Sequence, residues 1–224
     1  RVEKMRDAMD WVDYSHVDPL IIGICPGDGI GPMICASAEK VLKFLLNDEI
    51  KENKVEIRNI EGLTIENRAA KMEAIPDDIL AEIKKCHVIL KGPTTTPQAG
   101  DQWPNIESAN VAMRRYLDLF ANVRPVSIPE DNINWMFFRE NTEGAYVLGS
   151  RGVDLGDDFS IDFKVITQPG AERIIRLAFE YAKKNNIDKV TVVTKSNVVK
   201  ATDGRFSRTA KKIADEYDGI AADE

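Results

Sequence analysis

The chain has 224 residues, of which 43% are hydrophobic and 30% are charged, and its formal net charge is −7. A chain of this length can bury a sizeable core and form one or two domains. The acidic balance argues against non-specific nucleic-acid binding, which needs a basic face. No apolar run approaches the length that spans a membrane. We therefore expect a globular protein without nucleic-acid or membrane partners.

The first half of the chain predicts strands that alternate with helices. Residues 1–19 are polar and irregular, and Leu20–Cys25 predicts a buried strand. A glycine-rich turn, Gly27-Asp28-Gly29-Ile30-Gly31-Pro32, follows, but the dinucleotide-binding fingerprint fails because Pro32 stands where its last glycine belongs. The elements predicted next are a helix at Pro32–Asn47, a strand at Lys54–Gly62, a helix at Ile75–Cys86 and a strand at Val88–Leu90.

The second half continues this alternation, which predicts an α/β protein. The stretch Gly149–Asp158 is rich in glycine and aspartate but lacks EF-hand spacing, so we interpret it as a solvated loop. The predicted elements are a helix at 106–118, strands at Leu119–Val126, Asn134–Glu140 and Phe159–Gln168, a helix at Pro169–Lys184, a strand at Lys189–Thr194 and a helix at Gly204–Tyr217.

The three cysteines, Cys25, Cys35 and Cys86, lack metal-ligand spacing. Cys25 ends a predicted strand and Cys35 falls in a predicted helix, so we expect buried thiols in a reducing compartment. The two histidines are too few for a histidine metal site or a Ser-His-Asp triad. The charged first twenty residues contain no signal-peptide core. We expect a cytoplasmic protein.

The stretch from Lys91 to Tyr146 concentrates cations and hydroxyls within an otherwise acidic chain. An arginine fork binds a carboxylate through two parallel hydrogen bonds, whereas a lysine offers only a point charge. Three arginines in one pocket would therefore suit a small molecule with several carboxylates. The motifs are Lys91-Gly92-Pro93-Thr94-Thr95-Thr96-Pro97, Ser108-x-Asn110-x-x-x-Arg114, Arg124-Pro125 and Arg139-Glu140-Asn141-Thr142-Glu143-x-x-Tyr146.

The spacing of these residues along the sequence favours the convergence of some of them on one site. Asn110 and Arg114 are four residues apart on a predicted helix and share a face. Ser108 falls at the start of that helix, where unpaired N–H groups favour an anion. Arg124 precedes a proline, which favours an extended backbone. A single arginine is more often solvated or in a surface ion pair. The three threonines between Pro93 and Pro97, called the threonine loop below, form either a ligand contact or a structural turn.

Together these motifs resemble the β-decarboxylating dehydrogenases, the family of isocitrate and 3-isopropylmalate dehydrogenases, from about residue 20 to 209. The pattern Ser-x-Asn-x-x-x-Arg is similar to the isocitrate branch. The resemblance implies an α/β fold with mixed sheets and flanking helices, which is not a classical Rossmann fold. It also implies that residues 1–118 form the N-terminal part of a large domain. Residues 119–224 would form a small dimerisation and substrate domain, with a clasp-like hairpin near 147–168.

The same resemblance implies a role for individual residues. Tyr146 and Lys195 resemble the catalytic acid–base pair. The residues similar to those that hold isocitrate are Ser108, Asn110, Arg114, Arg124 and Arg139. The residues similar to those that contact the nicotinamide cofactor are Lys91, Thr94, Thr96, Asn110 and Asn197, the last within a matching segment that runs to Phe206.

The implied activity is oxidative decarboxylation of isocitrate to 2-oxoglutarate with NAD or NADP and magnesium or manganese. The implied assembly is a homodimer whose sites are shared between subunits. Two alternatives are a dehydrogenase of a related 2-hydroxy diacid, such as isopropylmalate or tartrate, and a non-catalytic regulatory subunit that binds a tricarboxylate. Ser108 and Asn110 argue against isopropylmalate, whose apolar branch needs an apolar contact. Intact Tyr146 and Lys195 argue against a regulatory subunit.

Two departures from the family pattern bear on this expectation. The stretch Gln98–Glu107 is longer than the corresponding family loop. The family's metal-binding aspartates and adenosine-binding segment are expected beyond residue 224, and Asp215, Asp218 and Asp223 do not replace those aspartates by position. No metal ligand is therefore predicted in this chain, and NAD is not distinguished from NADP. We expect the chain to be an incomplete and inactive portion.

Overall fold

The computed structural model describes residues 14–98, 100–147 and 152–224. They form two compact units that divide after Leu117, and each unit has a core of its own. The expected assignment of a large domain and of a dimerisation domain, with a boundary at residue 118, stays a prediction. The helices of the described residues do not include one with the length and apolar character of a membrane span.

The first unit is built on a parallel three-stranded sheet in the order Val55–Asn59, Leu20–Cys25, Val88–Lys91. Parallel neighbours need crossover connections, and helices supply them here. The elements are β1 (Leu20–Cys25), α1 (Gly31–Leu45), α2 (Asn47–Lys51), β2 (Val55–Asn59), α3 (Ile65–Lys71), α4 (Asp77–Ile83), β3 (Val88–Lys91) and α5 (Ala109–Tyr116), preceded by a 3-10 turn at Tyr14–His16.

The core of the first unit lies between the sheet and its helices. Gly23 in the central strand has no room for a side chain, because a Cβ there would lie 2.6 Å from Cδ1 of Ile89 and 2.8 Å from Sγ of Cys86. The predicted burial of Cys25 and Cys35 is confirmed, whereas Cys86 is half-buried. The buried core residues are Cys25, Ile60, Leu63, Ile75, Ile83, Ala109, Ala112 and Met113.

The second unit combines an antiparallel hairpin with two long helices. The elements are β4 (Ala121–Ile128), β5 (Ile133–Glu140), β6 (Val153–Asp154), β7 (Ser160–Ile161), α6 (Gln168–Lys184), β8 (Lys189–Thr191), α7 (Thr202–Ala214) and β9 (Ala221–Asp223), with a 3-10 turn at Pro129–Asp131. β4 pairs with β5, and β8 pairs in parallel with β9. The buried core residues are Ala171, Ile174, Ile175, Phe179, Val192, Ala210 and Ile213.

The structure corrects several predicted elements. The single strand predicted at Phe159–Gln168 is wrong: only Ser160–Ile161 forms a ladder, with Val153–Asp154, and Val165 forms an isolated bridge with Gly144. Apolar alternation marks a strand only where a neighbouring strand is available to pair. Residues 148–151 of the predicted clasp lie outside the described residues. The predicted helix Pro32–Asn47 ends at Leu45, and the stretch predicted as a solvated loop contains β6. The elements that were not predicted at all are α2, α3, β6 and β9.

Candidate active site

The threonine loop begins where β3 ends, and Lys91 holds its first residues in place. The Nζ atom of Lys91 donates hydrogen bonds to the Gly92 carbonyl (2.7 Å) and to Oγ1 of Thr94 (3.1 Å). Burial lowers the pKa of the Lys91 amine. Thr96 is exposed to solvent. Lys91 and Thr94, both predicted cofactor contacts, are therefore in direct contact with each other.

Two residues that were not predicted fix the next residue of this loop, Thr95. Oδ2 of Asp28 accepts from the Thr95 N–H (2.7 Å), and its Oδ1 accepts from the N–H of Ile65 (2.7 Å) at the start of α3. Nη1 of Arg68 donates to the Thr95 carbonyl (2.7 Å). Arg68 is fully buried, and burial lowers the pKa of its guanidinium. Asp28 could have been suspected from its place in a glycine-rich turn, whereas Arg68 lies in a helix without any sequence signal.

The start of α5 presents the predicted substrate residues of the first unit. Ser108 precedes the helix with an extended backbone (φ −56°, ψ 126°), and its side chain makes no capping hydrogen bond. Asn110 is exposed and Arg114 is half-buried. Within the described ranges, the Arg114 guanidinium has no hydrogen-bond partner. The adjacent Arg115, by contrast, is engaged by Glu107 through a bidentate ion pair of 2.9 and 2.7 Å.

In the second unit, the hairpin brings two predicted arginines to one face. Arg139 pairs with Asn122, and Arg124 pairs with Phe137. Paired residues of an antiparallel ladder, and residues two apart on one strand, share a face. Nε of Arg124 donates to the side-chain carbonyl of Asn122 (2.8 Å). Both arginines are exposed, so a carboxylate can reach them.

Arg139 also contacts the predicted proton donor. Its Nη2 donates to the Tyr146 hydroxyl (3.3 Å), and its guanidinium lies 5.5 Å from the centroid of the Tyr146 ring. The structure therefore brings Arg139 and Tyr146 into contact and places Arg124 on the same face of the hairpin as Arg139. Arg114 belongs to the other unit, so the convergence of all three arginines on one pocket stays a prediction.

Two carboxylates shape the turn between Arg139 and Tyr146. Glu140 accepts from the N–H and hydroxyl of Thr142 and from the N–H of Glu143 (2.7 Å). Glu143 is buried, and its carboxylate accepts from the N–H (2.9 Å) and the hydroxyl (2.6 Å) of Thr167. Thr167 is the N-cap of α6. The turn that carries Tyr146 is thus anchored to the start of the longest helix of this unit.

Lys195 and Asn197 lie in the segment between β8 and α7, and both are exposed. The backbone N–H of Lys195 donates to Oδ2 of Asp203 (3.2 Å), and Nζ of Lys164 is hydrogen-bonded to the other oxygen of this buried carboxylate. Lys164 and Asp203 line a cavity of about 240 Å³ within the second unit, and Arg139 and Glu143 also line it.

Acidic, histidine and cysteine side chains do not gather into a metal site in the described ranges, where no three of them are close enough to hold an ion. The described residues therefore do not fit a divalent metal by themselves. No chemical step is assigned to a metal below.

Comparison with known proteins identifies consistent similarities. Residues 21–224 match the family model described as isocitrate/isopropylmalate dehydrogenase. Regulatory subunit 3 of the mitochondrial NAD isocitrate dehydrogenase of Arabidopsis thaliana is 35% identical over 212 residues, which cover 92% of this chain and 53% of that protein. Homoisocitrate dehydrogenase of Methanocaldococcus jannaschii is 36% identical over 217 residues, or 90% of this chain and 59% of that protein.

The solved structures agree with these sequence similarities. The crystal structure of isocitrate dehydrogenase from Methylococcus capsulatus superposes with a TM-score of 0.74 at 34% identity, over 91% of this chain and 59% of that one. Its fold bears out the expected α/β architecture. The chain spans about half the length of the curated relatives it matches.

Proposed function

Because this chain belongs to the isocitrate/isopropylmalate dehydrogenase family, we propose that the full chain oxidatively decarboxylates isocitrate to 2-oxoglutarate. The cofactors would be NAD or NADP together with magnesium or manganese. The observation that supports the proposal best is the contact between Arg139 and Tyr146, 3.3 Å from nitrogen to oxygen. This contact places a cation that can bind a carboxylate beside a phenol that can donate a proton.

The arginines would bind and orient the acid. A hydrogen bond at Nε occupies only one side of the Arg124 fork, so its two Nη groups remain for a substrate carboxylate. Each charged hydrogen bond contributes about 1.5–3 kcal/mol. Ser108, Asn110 and Arg114 would supply the remaining contacts from the start of α5. Their main effect would be to position the reacting carbons.

The proton transfers would fall to Tyr146 and Lys195. Lys195 would help to remove the hydroxyl proton as hydride leaves the carbon that bears this hydroxyl. Tyr146 would supply the final proton after carbon dioxide has left. The Arg139 guanidinium donates to the Tyr146 hydroxyl and would hold the phenol in place for this transfer. Asp203 would steady the Lys195 backbone through its hydrogen bond of 3.2 Å.

The nicotinamide cofactor would accept the hydride. Lys91, Thr94 and Thr96 would face its ribose from the threonine loop, with Asn110 and Asn197 as further contacts. The Thr94 hydroxyl is already oriented by Lys91, and the side chains of Thr96, Asn110 and Asn197 are exposed. Hydroxyl and amide groups are suitable partners for ribose hydroxyls.

An activity assay on the full chain tests the proposal. Isocitrate should give a higher kcat/KM than homoisocitrate, isopropylmalate or tartrate, measured as reduced nicotinamide formed from NAD and from NADP with either metal. Tyr146→Phe and Lys195→Met should both lose turnover. A higher kcat/KM for another of these acids would refute the assignment of isocitrate.

A regulatory, non-catalytic subunit is the second candidate, because the Arabidopsis thaliana relative described above carries the name of a regulatory subunit. Such a protein would bind isocitrate or citrate in a calorimeter and would show no turnover. The presence of both Tyr146 and Lys195 favours the catalytic alternative, since binding alone needs neither group.

We further propose that the working enzyme is a homodimer with Tyr146 and Lys195 contributed by different subunits. When Tyr146→Phe and Lys195→Met chains are unfolded and refolded together, one site of each mixed dimer collects both defects and the other collects none. Random pairing should restore roughly a quarter of wild-type activity, given two equivalent sites per dimer. A mixture shown to contain mixed dimers but no activity would exclude shared sites. A cytoplasmic location likewise stays a prediction, since the named plant relative is mitochondrial.

A further inference from the structure

Arg68 is a fully buried cation that no carboxylate in the described ranges pairs directly. Its relative exposure is 0%, and all the hydrogen bonds it makes go to backbone carbonyls. Asp28 is a nearby opposite charge, but the two do not form a salt bridge within the described ranges. Burial of an arginine is costly unless its donors are satisfied, so three specific acceptors must hold it.

The three carbonyls belong to three separate parts of the first unit. Nε donates to Ala74 (2.8 Å) after α3, Nη1 to Thr95 (2.7 Å) in the threonine loop, and Nη2 to Glu107 (2.9 Å). Glu107 immediately precedes Ser108 and α5. The guanidinium is planar and rigid, so one side chain fixes the spacing between the threonine loop and the start of α5.

Asp28 binds the same residue of the threonine loop that Arg68 binds. The Thr95 N–H donates to Asp28, and the Thr95 carbonyl accepts from Arg68, each at 2.7 Å. Both main-chain polar groups of one loop residue are therefore bound by charged side chains. A turn that served only to reverse the chain would not need two.

We propose that Arg68 is a positioning residue of the active site, which sets the threonine loop at a fixed distance from Ser108 and the first turn of α5. Through this spacing, Arg68 aligns the cofactor contacts of Thr94 and Thr96 with the substrate contacts of Ser108 and Asn110. The alignment of these groups in catalysis rests on the function proposed above. The mechanical linkage itself does not.

Hydrogen exchange on the full chain tests the linkage without reference to activity. In Arg68→Lys, a single ammonium replaces the fork, so exchange should rise about tenfold or more in peptides covering 93–97 and 106–110, as expected for segments that open locally. Peptides covering Val55–Asn59 should be unchanged. Asp28→Asn, a second variant that keeps the buried cation, should raise exchange at 93–97 and leave 106–110 unchanged.

Kinetics tests the consequence for the site against a matched control. Ile83 is 1% exposed in the same core, and it belongs to α4, outside both segments. Ile83→Val or Ile83→Ala can therefore be matched to the Tm of Arg68→Lys. At a temperature where both are folded, kcat/KM should fall about tenfold or more in Arg68→Lys, because small displacements of aligned groups are costly. The kcat/KM of the control should stay within about twofold of the wild-type value, because its substitution does not displace the aligned groups.

The outcomes separate the two claims. Uniform exchange across the first unit, or equal kinetic losses in Arg68→Lys and its control, would overturn the positioning role. A wild-type protein that is inactive with every acid tested would instead refute the proposed function. In that case the exchange pattern alone decides whether Arg68 ties the loop to α5.

Discussion

The anchor between Glu143 and Thr167 should be one of the most costly polar contacts to remove from the second unit. Glu143 is 5% exposed, and its carboxylate accepts two hydrogen bonds from Thr167, of 2.9 and 2.6 Å. Each hydrogen bond to a charged group contributes about 1.5–3 kcal/mol. Glu143→Ala should therefore lower the free energy of unfolding by roughly 3–6 kcal/mol. The lost anion at the start of α6 adds about 0.3–1 kcal/mol to this.

Glu143→Gln is the matched control, because it keeps the shape. Its amide oxygen can accept from the Thr167 N–H, and its amide nitrogen can donate to the Thr167 hydroxyl, so that both contacts become neutral hydrogen bonds with the second one reversed. Neutral bonds contribute about 0.5–1.5 kcal/mol each, so this variant should lose roughly half as much as Glu143→Ala. Urea unfolding followed by circular dichroism gives both values. A Glu143→Ala protein within about 0.5 kcal/mol of wild type would behave like an ordinary surface variant and refute the reasoning.

Gly170 offers an independent check on the same contact. A Cβ at this position would lie 2.5 Å from Oε2 of Glu143, so Gly170→Ala should displace the carboxylate. In the Glu143→Ala background the added methyl group has room, and its cost should shrink. Additive free energies in the double variant would show that the two residues do not compete for this space.

Three further predictions concern the site and the core. Arg124→Lys should raise the KM for isocitrate more than twofold, because a bidentate contact becomes a point charge; a smaller change would remove Arg124 from the site. Ser108→Asp should abolish productive binding by repelling the substrate carboxylates, and an unchanged KM would place Ser108 elsewhere. Burial raises the pKa of the Cys25 thiol from 9.0 to about 11, so the unfolded thiol ionises first and the free energy of unfolding should fall between these pH values. Urea titrations across this range should show less of that fall in Cys25→Ala, and an identical slope would contradict the assignment.

Much of the fold could be predicted because its signals are local. Leu20–Cys25 and Val88–Lys91 are short apolar runs beside glycine or proline, and both form strands of the parallel sheet. The contact between Arg139 and Tyr146 joins residues seven apart in sequence, within a single recognisable motif. Such features need no knowledge of distant partners.

The remaining features depend on partners that a sequence does not display. Arg68 is satisfied by backbone carbonyls 27 and 39 residues away, and every residue type carries such a carbonyl. Phe159–Gln168 has the alternation of a strand but finds a neighbour only at its beginning and at Val165. Long-range pairing decides both cases, and residue pattern does not encode it.

Because of the groups that hold Arg68, the geometry of the site should not depend on pH or on ionic strength. A guanidinium does not release its proton in proteins, and carbonyl acceptors carry no titratable charge. Buried contacts are also screened little by salt, whereas exposed charges are screened over about 10 Å at 0.1 M. The spacing that Arg68 sets should therefore be unaffected by ionic strength, while the attraction of an acid to the exposed Arg124 and Arg139 should weaken as salt rises. A salt titration would then change the KM for the acid and leave kcat almost constant.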